Sequence, residues 1–270
     1  DATRDVGVMF TAGASRSTKL SGVRMKKATL RNKRVVRIST ICRAARKLFV
    51  SGPFPQGTWG HQCVGVPPSQ ILKLRRMASA STGISMGSQR CLVSCVFICF
   101  GRRGDPWQRI VKETIMLWIQ IMPFYFQTCH MDLSIAWSKA KQDVVKGPTP
   151  RTPQQFAAVQ LLWKNVTGPL SNMVACLYSI GWNPASFSEW VEPSRVTCSI
   201  PTAPGYVFHA PHGVRAAQEQ IASLLWSRVG EHNNGAGLQG GISFSYTISV
   251  LSYFQKNHIY DKAAALETIL

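Results

Sequence analysis

A chain of 270 residues with 45% hydrophobic content is long enough to bury a core and too apolar to be disordered throughout. Its eight cysteines fall short of a disulfide scaffold. No apolar run reaches the ~20 residues of a bilayer-spanning helix. The formal net charge is +19, from 31 Lys and Arg against 12 Asp and Glu. That charge is unevenly spread: residues 1–150 hold 24 Lys and Arg against 6 acids, and residues 151–270 hold 7 against 6. A basic half joined to a near-neutral half points to a polyanionic partner on the first, bound by counterion release. A ribosome-like or membrane-surface basic region, or compositional drift, would leave the same asymmetry.

The opening DATRDVGV carries charge and no apolar core, so no signal peptide is expected. The thiols are then expected to be reduced and the compartment intracellular, nuclear or cytoplasmic. Asp1 in place of Met suggests a fragment.

Asp5–Phe10 reads as a short strand and Thr11–Ser15 as a turn hinged at Gly13. From Ser15 to Val50 the apolar residues Leu20, Val23, Ala28, Leu30, Val35, Ile38 and Ile41 recur three or four apart. That spacing predicts one long helix with an apolar seam, capped by Ser15 or Ser17 and stopped near Gly52-Pro53. Between Arg16 and Lys47 it carries twelve Lys or Arg and no acid. Like charges at i,i+4 repel by a few tenths of a kcal/mol per pair, so such a helix is steadied by an anion lying along it.

Pro67-Pro68-Ser69 opens a second helix with Ile71, Leu72, Leu74 and Met77 as its apolar side, and Lys73, Arg75 and Arg76 on the others. Residues 79–90 are loop-like. Cys91–Phe100 is apolar all round, and its periodicity does not separate strand from helix. After the Gly101–Pro106 turn, Trp107 starts a helix expected to end at Pro123. Three prolines in Ala140–Pro153 mark a linker where the charge changes. Beyond it, Pro153 and Pro169 each stand at a first helical position, and Gly181 closes the second helix. Ser186–His212 is proline-rich, with short strands expected at Val196–Ile200 and Tyr206–His209. Val214–Val229 is helical in pattern, and Ile242–Val250 fits strand and helix equally.

Chemistry-bearing motifs are weak. Gly83-Ile84-Ser85-Met86-Gly87 matches a nucleophile elbow, but it lies in a Ser/Gly-rich loop with no strand leading in, which makes it a chance match. Cys91, Cys95 and Cys99 fall at i, i+4 and i+8, one face if the segment is helical, without a second ligand pair. His61 with Cys63, Cys129 with His130 and His209 with His212 are scattered, so no metal site is expected. Asp105, Glu113, Asp132, Asp143, Glu189 and Glu192 do not converge in the sequence as a Mg2+-holding polymerase or nuclease set would. No catalytic residue is assigned.

The order of features resembles the segment just after the palm in non-LTR (LINE-like) retrotransposon reverse transcriptases. Asp5-Val6-Gly7-Val8 and the arginine-rich helix after Phe10–Gly13 are similar to that family's "LGV" strand and basic helix. Gly52-Pro53…Trp59-Gly60 looks like its "P…YG" turn, and Gly65–Ser69…Leu72…Leu74-Arg75-Arg76 like its "LRR" helix. Gly101–Trp107 resembles a "GDPAWR" turn-helix, and Gly168-Pro169…Gly181-Trp182 a "GP…GW" block. A Cys-rich Cys91–Phe100 stands where the family is Leu-rich.

The resemblance implies a thumb-and-connection portion of an RNA-directed DNA polymerase, with the catalytic aspartates and their Mg2+ outside this chain. It implies no cofactor of the chain's own. What carries over is a grip on the RNA and DNA template–primer backbone, read by phosphate and shape, for which Arg24, Lys27, Arg31, Arg34 and Arg37 are expected, supported by Arg75 and Arg76. The expected fold is mainly α: a basic thumb-like region over 1–140, a linker over 141–153 and a helical connection region over 154–270. The rival reading is a helical interaction module, or an inert relic, whose charge is incidental.

Overall fold

The computed structural model describes residues 2–5, 8–11, 15–83, 91–101, 103–200, 211–231, 236–259 and 261–262. The fold is mainly α, as the periodicity predicts. In chain order, β1 (Ala2–Asp5) pairs antiparallel with β2 (Val8–Thr11), Asp5 opposite Val8. The DVGVMF stretch expected as one strand is thus divided, with Asp5 in β1 and Val8–Phe10 in β2. Helix α1 runs over Lys19–Ser39, followed by a 3-10 turn at Arg43–Lys47 and the short helices α2 (Leu48–Ser51), α3 (Pro53–Thr58) and α4 (His61–Val64). α5 is Pro68–Ser81, α6 is Leu92–Phe100, and α7 is Pro106–Asp143. α8 (Pro153–Ala157) and α9 (Pro169–Ser179) precede the antiparallel hairpin of β3 (Glu189–Val191) and β4 (Thr197–Ser199). α10 (Pro211–Gly230) and α11 (Phe244–Lys256) complete the chain.

Three expectations need correction. α1 stops at Ser39, well short of Gly52. The Ser39 hydroxyl bonds back to the Val36 carbonyl at 2.9 Å and the Thr40 hydroxyl to the Arg37 carbonyl at 2.7 Å. These bonds, beside the β-branched run Val35-Val36 and Ile38…Thr40-Ile41, compete with helix continuation. The seam differs too: Met25, Ala28, Asn32, Val35 and Ser39 are buried, whereas Val23, Leu30 and Ile38 are exposed. α7 does not end at Pro123; the proline sits inside it, and the backbone leaves helical geometry only at Cys129 (φ −137°, ψ 24°). The Ile242–Val250 ambiguity resolves as helix. The elbow-like Ser85 and the Tyr206–His209 strand lie outside the described residues.

The chain divides into two compact units, one of residues 1–20, 59–67 and 110–218, the other of 21–58, 68–109 and 219–270. Residues 141–153 lie inside the first unit, where Val145 bridges Leu161 and the Leu162 N–H donates to the Val144 carbonyl at 2.8 Å.

The first unit is built on tryptophan. Trp118 and Trp137 lie 5.6 Å apart and are buried, and their indole N–H groups donate to the carbonyls of Phe187 (2.9 Å) and Pro184 (3.0 Å). Asn172 on α9 donates to the carbonyls of His61 and Gln62 at 3.0 and 2.9 Å, satisfying α4 groups that face it. His61 Nε2 lies 3.3 Å from Glu113 Oε2.

In the second unit the buried side of α1 meets α3 and α5. A Cβ on Gly57 would touch Ala28, Met25 and Leu74 at 3.3–3.5 Å, so the glycine lets these helices close up. Asn32 donates to the Met77 carbonyl at 3.0 Å. Phe49 packs against Phe54 and Phe100, and Phe97 against Trp226.

Candidate nucleic-acid interface

The buried positions of α1 fall on one stripe, so burial itself sorts its charges. At about 100° per residue, Lys33, Lys26 and Arg37 lie along one side of the outward arc. Arg34, Lys27, Arg31 and Arg24 lie along the other. Between the two rows stand Val23 and Leu30, 49% and 62% exposed, while Ile38, 47% exposed, falls among Lys27 and Arg31 in the second row. The outward face is therefore an apolar ridge flanked by cations.

Lys27, Arg31, Arg34 and Arg37 are exposed, and Arg24 is half-buried. Among the described residues, the side chains of Lys27, Arg31, Arg34 and Arg37 make no ion pair. Arg31 leans over the end of α2, where a Cβ on Gly52 would come within 3.0 Å of its Nε. From Arg24 to Arg34 one row spans about 15 Å, and from Lys26 to Arg37 the other spans about 16 Å, at 1.5 Å per residue, enough to follow several phosphates.

The remaining expected cations part company. Arg76 is exposed on α5. Arg75 is only 11% exposed, and its Nε and Nη2 donate to Asp105 Oδ2 and Oδ1 at 2.6 and 3.0 Å. Asp105 Oδ1 also accepts the Trp107 N–H at 2.8 Å, capping the start of α7. Arg75 thus spends its fork on a structural carboxylate. Two members of the basic run also turn inward. Arg16 donates to the Val64 carbonyl at 2.7 Å, and burial holds its pKa below the ordinary value. Arg46 donates to Cys99 Sγ at 3.6 Å. Alternation of charge alone could not tell these from the outward ones.

Among the described residues no helix is long and apolar enough to cross a membrane. Among the described residues no cysteine is joined to another in a disulfide. The acids stand apart in function: Asp105 holds Arg75, Glu113 faces His61, and Asp132, Asp143 and Glu189 are exposed. No protein-family model, curated protein or solved structure matches this chain.

Proposed function

We propose that the chain binds nucleic acid through the outward face of α1, as the thumb-like portion of a LINE-like reverse transcriptase, with template–primer RNA and DNA as its partner. The observation that carries the reading is the sorting of α1: it buries Met25, Ala28, Asn32, Val35 and Ser39 and turns Lys27, Arg31, Arg34 and Arg37 outward without a carboxylate among them. Arg24 adjoins that surface on the same helix; Arg76 is exposed on α5, and Arg75 belongs to the Asp105 pair instead. The chain contributes grip and no chemistry of its own.

The test is binding of the whole chain to an RNA–DNA hybrid duplex over a range of salt. Each neutralised phosphate contributes roughly −0.9 to the slope of log K against log salt on duplex. Contacts from these cations predict a slope steeper than about −3. A slope near zero overturns the proposal.

The exposed Val23 and Leu30 ridge favours a second reading, a docking face for an acidic amphipathic helix. That reading predicts binding weakened by Leu30→Ser far more than by salt.

A further inference from the structure

Glu192, Cys198 and His212 come from separate places in the sequence and converge in the first unit. Glu192 follows β3, with its N–H donating to the Val196 carbonyl at 2.9 Å across the hairpin. Cys198 is the central residue of β4, opposite Trp190. The two are therefore diagonal neighbours on one face of the hairpin. His212 is the second residue of α10. A carboxylate oxygen, the thiol sulfur and an imidazole nitrogen all lie within 4.8 Å of one another.

Two observations show that this proximity is built. A Cβ on Gly213 would lie 3.0 Å from Cys198 Sγ, so the glycine beside His212 lets the first turn of α10 come down onto the sulfur. Glu192 Oε2 accepts the Ser194 hydroxyl at 3.2 Å, but Oε1 is enclosed and has no hydrogen-bond partner. An enclosed carboxylate oxygen without a donor is unfavourable unless a cation supplies the missing charge.

We propose that Glu192, Cys198 and His212 hold a zinc-type divalent cation that ties the β3–β4 hairpin to the start of α10. The donor set is one sulfur, one nitrogen and one oxygen, which suits a borderline-soft ion and leaves a fourth position open. Tetrahedral bonds of 2.0–2.3 Å need ligand atoms roughly 3.3–3.6 Å apart, and the exposed His212 side chain is free to close that difference by rotation. The ion displaces the Cys198 thiol proton to solvent, the imidazole binds neutral, and Ser194 orients the carboxylate from outside. The proposal is independent of nucleic-acid binding, since none of the three residues lies on α1.

Titration of the full chain, reduced and metal-free, with Co2+ tests it. The expected result is one Co2+ per chain with a thiolate-to-cobalt charge-transfer absorption. Cys198→Ser should abolish that absorption, and Cys42→Ser should leave it unchanged. His212→Ala and Glu192→Gln should each weaken binding more than about 10-fold, the lower end of what even outer partners of a metal contribute. His212 is exposed, so its variant retains the fold, checked by an unchanged thermal melt. No charge-transfer absorption in the unaltered chain overturns the proposal. So does absorption that survives Cys198→Ser, or Co2+ affinity unmoved by His212→Ala.

Discussion

Arg75 and Asp105 meet through two hydrogen bonds, with the carboxylate fully enclosed and simultaneously capping α7 through the Trp107 N–H. One acid therefore fastens α5 to the beginning of α7. Removing one partner of a buried, bidentate pair typically costs 3–5 kcal/mol, because the other charge is stranded. Asp105→Ala should lower unfolding free energy by about 3 kcal/mol or more in urea denaturation followed by circular dichroism. Arg75→Gln should destabilise the fold while leaving the salt slope of nucleic-acid binding unchanged.

Neutralising the outward cations of α1 should act in opposite directions on stability and binding. Lys27 and Arg31 stand at i,i+4, and so do Lys33 and Arg37. Arg31→Gln or Arg37→Gln should raise the thermal midpoint slightly, by relieving a few tenths of a kcal/mol of repulsion. Each should also flatten the salt slope by roughly 0.9. Paired melting and binding curves at fixed ionic strength check both signs.

Gly65 adopts φ +68° and ψ 173°, a conformation that residues with a side chain rarely take, and a Cβ there would collide with Asn172 Oδ1. Gly65→Ala should destabilise by about 1–3 kcal/mol from backbone strain alone. Asn172→Ala takes the side-chain donor from the Gln62 carbonyl and leaves the His61 carbonyl only its Gly65 N–H, and should cost about 1–3 kcal/mol. Thermal melts of both variants measure these losses.

Alkaline unfolding should trace to α9. Burial pushes the Cys176 thiol from 9.0 up to about 12, opposed weakly by its hydrogen bond with Thr114. Burial also pushes the Tyr178 phenol from 10.0 up to about 12. Both groups lose their protons more easily when unfolded. Their contribution is therefore complete below pH 9 and falls away as pH rises toward about 12, at up to roughly 1.4 kcal/mol per pH unit for each group. Stability measured across that window should fall less steeply in Cys176→Ala.

What the sequence made legible was local. Pro169 and Gly181 bracket α9 because a first-turn proline and a left-handed glycine act on their own backbone; Gly181 has φ +78°. The Pro68 start of α5 and its buried Ile71, Leu74 and Met77 follow from spacing in the same way. The length of α1 escaped because side-chain bonds from Ser39 and Thr40 outcompete a pattern that continues unbroken. α7 passed through Pro123 because tertiary packing on both sides of it outweighs one missing donor; Met122, Trp118 and Trp137 are buried there. Arg75 looked like its neighbour Arg76, and only a carboxylate thirty positions away set them apart. Glu192, Cys198 and His212 gave no signal, since six- and fourteen-residue gaps carry no periodicity and only the hairpin folds them together.

Pro123 and Cys129 stand six residues apart within α7, one without an amide proton and the other off the helical backbone. The intervening turn and a half also shows Phe124 and Tyr125 to solvent at 74% and 51%. α7 is therefore two rods joined at a break rather than one continuous rod. The joint is braced from one side, because Phe126 before the break and His130 after it both rest on the ring of Phe187, 5.9 and 5.6 Å away.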